Sequence, residues 1–317
     1  MSQRQSYFNG NFVADSEARV SVFDSALMFG DMVFEMTRTF KQQPFKLHAH
    51  LERLYMSLRL LEIDCGLSLE DMERVTLETL ELNKPTEEND MDWQIMHDVS
   101  RGPADLYRSI FGGRVQPTVV ICCWPMVTHI GGFAEMYKTG VHLAIPSQQA
   151  MHAELLDPKA KTRSRLHYQM ANMQAARVGK EYWPLLLDSD GFLAEGTGWN
   201  AFLVHNGTLY SPEPRNILLG VSRATVIELA AELNIPFVET NLGRYEALQA
   251  DELFCTSTPF AMLHATSIEG RTIGDGKPGP IYQKIYDRWT QQVGVDFAAQ
   301  AEDYATRLED WQQKEAV

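Results

Sequence analysis

The sequence predicts an α+β (mixed α/β) fold in two domains, and three observations support this prediction. Strand-sized apolar runs are joined by hairpin turns such as Asn9-Gly10 and Asn206-Gly207. Segments with apolar residues at helical spacing lie between these runs, the first of them starting at His50. A length of 317 residues is typical of two domains. Hairpins mixed with helices favour this class over a doubly wound parallel sheet.

After its first hairpin, the N-terminal part of the chain is predicted to form four strands and two helices. The strands are expected at 20–23, 33–40, 93–100 and 118–124. The first helix begins at His50, and the second follows Leu67-Ser68 and ends before Pro85. A polar loop is expected at 85–90. A Gly-Gly pair at 131–132 indicates an interdomain linker at 131–140, after a small N-terminal α/β domain at 1–130.

The remaining residues, 141–317, are predicted to form a second domain that ends in a helical tail. Helices are expected from Leu166, at 222–233 and from Pro278 onward. The expected strands lie at 141–145, 183–188, 191–204, 237–240 and 253–257. The turn Ser189-Asp190-Gly191 makes the second and third of these strands a hairpin.

Composition argues against several classes of partner. The formal net charge of −14 and the pI of about 5.1 disfavour binding to nucleic acid or to an anionic membrane. No apolar run reaches the roughly 18 residues of a membrane-spanning helix, and the first residues lack a secretory apolar segment. Four cysteines without CxxC spacing indicate a reduced, cytoplasmic protein. His48 and His50 point apart at a helix start, so we expect no metal site.

Two segments carry the residues with the clearest chemistry. Lys161 begins the run Lys-Thr-Arg-Ser-Arg-Leu at 161–166, and Glu195 begins Glu-Gly-Thr-Gly-Trp-Asn-Ala-Phe at 195–202. Taken alone, each side chain would be an ordinary surface charge. An amine for a Schiff base and a carboxylate for a ring nitrogen are the pair that pyridoxal phosphate chemistry requires.

A third segment is suited to an anion. At 220–223 the run Gly-Val-Ser-Arg stands where a loop becomes a helix, and free backbone N–H groups and the helix dipole there favour a phosphate. A plain N-cap by Ser222 would give the same local structure without a ligand. Arg53 falls off the apolar stripe of its helix and could be solvent-exposed, although a guanidinium fork also suits a phosphate.

Together with Gly-Asp-Met-Val-Phe-Glu at 30–35, these segments resemble the class IV (fold-type IV) aminotransferases. That family includes branched-chain aminotransferases, D-amino acid transaminases, R-selective amine transaminases and aminodeoxychorismate lyase. The resemblance covers the chain from about Tyr7 to about Ile285. It implies the two-domain fold-type IV architecture, a C-terminal cofactor-binding domain, pyridoxal 5'-phosphate as cofactor and a homodimer.

The resemblance also implies roles for individual residues. Lys161 would be the Schiff-base lysine and the general acid/base, because the neighbouring Lys159 breaks the family's separation to Glu195. Glu195 would hold the protonated ring nitrogen, and Arg165 would contact the ring oxygen. The expected phosphate ligands are Arg53, Val221, Ser222 and Thr258. Asp31 would brace its turn. The sequence departs from the family at Ser164, where asparagine is common, and at Leu166, where branched-chain enzymes have tyrosine.

Substrate contacts are expected from Phe29, Phe34, Arg38, Met96 and Arg108. Typical branched-chain enzymes carry tyrosine-x-arginine where Gln94 and Met96 stand, and the D-amino acid transaminase pair R-x-H is absent from 103–108. Arg38 is therefore our first candidate for the substrate carboxylate, and Arg108 is our second.

We expect a transaminase acting between an apolar, branched-chain-like L-amino acid and an α-keto acid such as α-ketoglutarate. The alternatives are a D-amino acid transaminase, an aminodeoxychorismate lyase and a non-catalytic, ligand-binding homologue.

Overall fold

The computed structural model describes residues 3–86, 90–179 and 181–315, and it divides into two compact units. Unit 1 runs to Met126 and also includes Ala160–Ser164. Unit 2 comprises Val127–Lys159 and the chain from Arg165 onward. The short segment that carries Lys161 therefore belongs to unit 1, whereas Glu195 belongs to unit 2.

Unit 1 is a six-stranded sheet with helices, and its strand order is β2-β1-β6-β5-β3-β4. Its elements are β1 (Gln5–Phe8), β2 (Asn11–Ala14), α1 (Ser25–Phe29), β3 (Met32–Phe40), β4 (Gln43–Pro44), α2 (Leu47–Leu60), α3 (Leu69–Asn83), β5 (Trp93–Ser100) and β6 (Thr118–Pro125). Short 3-10 turns lie at Asp15–Glu17, Lys84–Thr86 and Asp105–Tyr107.

The two faces of this sheet have different roles because side chains alternate along each strand. On one face, Val33, Trp93 and Ile95 pack against Leu51 and Leu54 of α2 in the unit's apolar core. The other face carries the alternate residues of β3 and β5. These pair in register as Phe34 with Asp98, Met36 with Met96 and Arg38 with Gln94.

The lysine segment lies alongside the start of β3. Thr162 forms a β-bridge with Val33, the Lys161 carbonyl accepts a hydrogen bond from the Phe34 N–H at 2.9 Å, and the Arg163 N–H donates to the Met32 carbonyl at 2.8 Å. The Lys161 N–H donates to Ser57 Oγ of α2 at 3.1 Å. These backbone contacts fix the direction in which each side chain of the segment leaves the chain.

Unit 2 is built on a nine-stranded sheet. Its strands are β7 (Val141–Ala144), β8 (Tyr182–Leu187), β9 (Leu193–Gly196), β10 (Asn200–His205), β11 (Thr208–Pro212), β12 (Phe237–Thr240), β13 (Glu252–Ser257), β14 (Ala261–Ile268) and β15 (Arg271–Thr272). Its helices are α4 (Val127–Gly131), α5 (Ala134–Thr139), α6 (Leu166–Ala175), α7 (Val221–Glu232), α8 (Arg244–Gln249), α9 (Pro280–Val293) and α10 (Phe297–Glu315), with a 3-10 turn at Pro214–Asn216.

The sheet of unit 2 closes on itself. The order β10-β13-β14-β7-β8-β9 is completed by a pairing of β9 with β10, between Glu195 and Asn200. Buried aliphatic side chains, among them Leu143, Leu185 and Leu263, form the core of this ring of strands. The closure brings the two ends of the 195–200 motif together at one point.

Several local predictions were wrong. Residues 20–23 form no strand: Val22 is exposed, and the following helix α1 is capped by Asp24, whose side chain accepts a hydrogen bond from the Ala26 N–H. The strand expected at 191–204 is broken into β9 and β10. Strand β14 was missed. The helical tail expected from Pro278 onward is confirmed, and it consists of two helices, α9 and α10.

The segment expected to be a linker, 131–140, is helical over Ala134–Thr139 and belongs to unit 2. The limits of 1–130 and 141–317 stay predictions. Residues 87–89 of the loop expected at 85–90 lie outside the described part of the chain.

Candidate active site

Lys161 projects beside an aromatic side chain of the same unit. Its Nζ lies 4.7 Å from the centroid of the Phe34 ring, close enough for an attractive contact between an ammonium group and a π face. Because Phe34 is buried, this amine lies next to apolar surface.

Arg53 is held by a buried carboxylate. Its Nε donates to Glu35 Oε2 at 2.8 Å and its Nη2 donates to Glu35 Oε1 at 2.6 Å, while His50 Nδ1 lies 3.0 Å from Oε1. Burial disfavours the ionised form of Glu35, but the neighbouring Arg53 and His50 outweigh it and hold the pKa of Glu35 well below its usual value.

This bidentate pair fixes the plane of the Arg53 guanidinium, which is 12% exposed. The interpretation of Arg53 as an ordinary solvent-exposed residue of its helix is therefore wrong.

Asp31 is also paired, since Arg101 Nε lies 2.9 Å from its Oδ2. The same guanidinium donates to the Leu61 and Glu62 carbonyls at the end of α2. These contacts hold the turn before β3 in place.

Three neutral groups donate hydrogen bonds to Glu195 in unit 2. The Tyr168 hydroxyl donates to Oε1 at 2.6 Å, and the Asn200 amide and the Leu218 N–H donate to Oε2 at 3.2 and 2.9 Å. The carboxylate is buried. Hydrogen bonds to the ionised form favour it, and neutral donors orient the carboxylate without supplying positive charge.

Tyr168 is suited to its donor role. Burial and the neighbouring Glu195 raise the pKa of its phenol well above the usual value, so the hydroxyl keeps its proton. The Arg165 guanidinium lies 5.1 Å from the centroid of the Tyr168 ring. Tyr168 could not be predicted as a site residue, because its partner Glu195 is 27 residues away along the chain.

Two glycines permit the close packing around Glu195. A Cβ on Gly196 would lie 1.9 Å from the Trp199 indole, and one on Gly220 would lie 2.2 Å from Asn200 Oδ1. The Asn200 amide also donates to the Leu218 carbonyl at 2.9 Å. Asn200 thus joins the carboxylate to the loop that leads into α7.

Helix α7 begins at Val221 with Gly220 as its N-cap, and no side chain caps it. The N-cap role considered for Ser222 is therefore wrong. The first N–H groups of a helix have no partner inside the helix and carry the positive end of its dipole, which is a suitable arrangement for phosphate. Arg223 faces elsewhere, since it is buried and bonds to Ser211 and Glu239.

The candidate substrate residues occupy different environments. Arg38 is 2% exposed, donates to the Thr39 carbonyl at 3.1 Å and lies 3.9 Å from Asp92. Phe29 is 67% exposed. Arg108 is exposed and paired with Asp105 at 2.6 Å. Phe34 and Met96 share the sheet face opposite the helices.

The structure adds Arg163 to this face. Its Nε donates to Asp98 Oδ1 at 2.8 Å, and its guanidinium carbon lies 3.9 Å from the centroid of the Phe34 ring. The sequence alone could have indicated Arg163. It stands two residues after Lys161, and alternate residues of an extended segment point to the same side.

Other kinds of site find little support in the described residues. They contain no group of three or more His, Cys, Asp or Glu placed to hold a metal ion, and no helix among them is long and apolar enough to cross a membrane. The four cysteines are free thiols.

Comparison with known proteins agrees with this geometry. Residues 32–268 match the family described as Amino-transferase class IV. A Methanocaldococcus jannaschii protein, provisionally named a branched-chain-amino-acid aminotransferase, is 36% identical over 285 residues, which are 89% of this chain and 94% of that protein. The D-alanine aminotransferase of Bacillus licheniformis is 29% identical over 279 residues, which are 88% of this chain and 93% of that enzyme.

Among solved structures, the branched-chain aminotransferase of the thermophilic archaeon Thermoproteus uzoniensis, crystallised with norvaline, is similar to this chain. It superposes with a TM-score of 0.80 at 28% identity, and the match covers 96% of this chain and 97% of that one. The holo-form of the branched-chain amino acid aminotransferase from Thermobaculum terrenum superposes with a TM-score of 0.79 at 25% identity, over 95% of this chain and 97% of that one. The chain therefore belongs to the class IV aminotransferases and is a pyridoxal-phosphate-dependent transaminase with the fold-type IV architecture.

Proposed function

We propose that this enzyme moves an amino group between an apolar L-amino acid, such as leucine or valine, and α-ketoglutarate. The observation that carries the proposal is the surface beside the Lys161 amine, where Phe34 and Met96 offer apolar contact. The relatives named as branched-chain aminotransferases support the same substrate class.

The residues of each unit fit parts of pyridoxal 5'-phosphate. In unit 1, Arg53 offers a fixed guanidinium for the phosphate, and Lys161 offers the amine. In unit 2, the N–H groups of Val221 and Ser222 and the Thr258 hydroxyl suit the phosphate, Glu195 suits the ring nitrogen, and Arg165 the ring oxygen. The bound cofactor supplies an electron sink that stabilises negative charge at the substrate α-carbon.

Two side chains do the acid–base work in this proposal. With the cofactor bound, the Lys161 amine would remove the proton from the substrate Cα and would later return a proton. Glu195, oriented by Tyr168, Asn200 and Leu218, keeps the ring nitrogen protonated through its negative charge. Phe34 and Met96 contact the substrate side chain, while Phe29, Arg38 and Arg108 remain further candidates for substrate contacts.

A D-amino acid transaminase is the second candidate, because the D-alanine aminotransferase of Bacillus licheniformis is also similar over most of the chain. The proposal is tested by adding single L- and D-amino acids to the yellow holoenzyme and following the loss of its visible absorbance. L-leucine and L-valine should react, and reaction with D-amino acids alone would favour the second candidate.

We further propose that the enzyme is a cytoplasmic homodimer. Large apolar side chains are exposed on unit 1 at Val22, Leu27, Phe29, Leu106 and Ile110, which is typical of a surface that another subunit covers. Light scattering coupled to size-exclusion chromatography should give twice the chain mass of 36.0 kDa, and a monomer at micromolar concentration would exclude the dimer.

A further inference from the structure

We infer that Arg163 binds the side-chain carboxylate of a dicarboxylic substrate, so that glutamate and α-ketoglutarate share one site with apolar substrates. The inference rests on the proposed function. Met96 stands where branched-chain enzymes have an arginine, and the guanidinium of Arg163 lies against it, with Nη2 2.8 Å from Met96 Sδ. The positive charge of Arg163, on the segment beside β3, thus takes the place of the arginine that β5 lacks at Met96.

The position of Arg163 relative to Lys161 fits this role. Lys161 Nζ and the Arg163 guanidinium carbon lie 4.7 and 3.9 Å from the centroid of the same Phe34 ring, so their separation cannot exceed the sum of these distances. With C–C bonds of about 1.5 Å, the amino nitrogen and the side-chain carboxylate carbon of extended glutamate are about 5 Å apart. A five-carbon dicarboxylate can therefore span from the amine to the guanidinium.

The hydrogen bonds of Arg163 leave room for such a ligand. Arginine has five N–H donors, and Nε uses its one hydrogen on Asp98. Among the described residues, the one hydrogen-bond acceptor of the terminal nitrogens is the Met96 sulfur, which is a weak acceptor. A carboxylate accepts a bidentate pair from that edge of the guanidinium, which a thioether cannot do.

Asp98 positions the Arg163 guanidinium and also competes with a substrate for it. It lies opposite Phe34 in the sheet and holds Arg163 through Nε, with side chains that are 15% and 35% exposed respectively. The pair is neutral overall when an apolar substrate side chain lies over Phe34 and Met96. Asp98 is therefore a positioning residue, and its charge competes with a substrate carboxylate for the same guanidinium.

The test compares two ligands of the holoenzyme that differ at one end, glutarate and 4-methylvalerate, by isothermal titration calorimetry. Arg163→Gln should weaken glutarate binding about ten- to a hundredfold, the usual effect of losing a charge-assisted contact. Binding of 4-methylvalerate should change by less than about threefold. Arg74→Gln is the matched control, since Arg74 is an arginine paired with a carboxylate of the same unit, on α3.

A second variant and a kinetic measurement complete the test. Asp98→Asn keeps an acceptor for Arg163 Nε but removes the competing charge, so glutarate should bind more tightly and the KM for glutamate should fall. Equal losses for both ligands in Arg163→Gln, or no loss for either, would overturn the inference, as would weaker glutarate binding by Asp98→Asn. If the inference fails but the wild-type enzyme transaminates leucine, the proposed function still holds. If the wild-type enzyme has no transaminase activity, the proposed function is wrong.

Discussion

Each unit of this enzyme contains one buried glutamate of functional interest, and different kinds of group donate hydrogen bonds to the two. Glu35 of unit 1 bonds to the guanidinium of Arg53 and to His50, so a cation balances its charge in place. Glu195 of unit 2 receives hydrogen bonds from Tyr168, Asn200 and the Leu218 backbone, all of them neutral.

The difference indicates what each carboxylate does. A charge balanced by arginine fixes that arginine, so Glu35 serves the geometry of Arg53. The neutral donors of Glu195 orient its carboxylate without adding positive charge of their own, and a protonated pyridine nitrogen requires a negatively charged partner. Substitution of Glu35 should therefore mainly lower stability, and substitution of Glu195 should mainly slow catalysis.

Glu35→Gln should have the largest effect on folding. Removing one partner of a buried ion pair leaves the other charge poorly balanced, which costs about 3–5 kcal/mol of unfolding free energy. Urea denaturation of the apoenzyme would measure it. Glu52→Gln, at an exposed position on the same helix as Arg53, is the control and should change stability by less than about 0.5 kcal/mol. A Glu35→Gln variant as stable as its control would show that the pair does not fix Arg53.

Glu195→Gln should slow the reaction without comparable loss of stability. An amide cannot stabilise the protonated ring nitrogen, and loss of one such electrostatic contact typically costs about 10²–10³ in rate. The single-turnover rate with L-leucine would measure the effect in enzyme saturated with cofactor. Glu213→Gln, on the surface of the same unit, should leave that rate unchanged. An unchanged rate for Glu195→Gln itself would rule out its contact with the ring.

Arg53→Ala should weaken cofactor binding more than it slows the chemistry at saturating cofactor. Loss of the phosphate contact is expected to raise the Kd for pyridoxal 5'-phosphate about ten- to a hundredfold. Fluorescence titration of the apoenzyme, at a temperature where the variant is folded, would measure this constant. Arg59→Ala, on the exposed side of α2, is the control. Equal affinities in the Arg53 and Arg59 variants would remove Arg53 from the phosphate site.

Each unit also contains a buried histidine, and these two histidines should give a smaller effect, a dependence of stability on pH. Burial lowers the pKa of His97 in unit 1 and of His264 in unit 2 to about 4 each. Both are neutral when folded but take up protons below about pH 6.5 when unfolded, so stability is complete above pH 6.5 and falls toward pH 4.

At pH 5, each of these histidines should lower the free energy of unfolding by about 2 kcal/mol. His97→Asn should therefore lose less stability than the wild type between pH 7.5 and pH 5.0, as measured by urea denaturation at the two values. Parallel losses in the two proteins would show that His97 does not carry this pH dependence.

The comparison also shows how far the sequence alone could predict the molecule. Hairpins such as the one at Asn9-Gly10 were predictable because their turn residues act locally. Strand β14 was missed because a strand buried on both faces lacks alternation. The motif at 195–200 identified Glu195, but not Tyr168, because the fold, and no local pattern, brings the two side chains together. Arg163 was overlooked in the same way, since its meaning depends on Asp98 and Met96 of another strand.

We infer that Lys161 is the lysine that carries pyridoxal 5'-phosphate. Reduction of the holoenzyme with borohydride followed by protease digestion and mass spectrometry tests it directly. We predict a phosphopyridoxyl group on Lys161, and Lys161→Ala should show neither the label nor transaminase activity. A label on Lys159, or on any other lysine of the wild-type chain, would show that Lys161 is not the cofactor lysine.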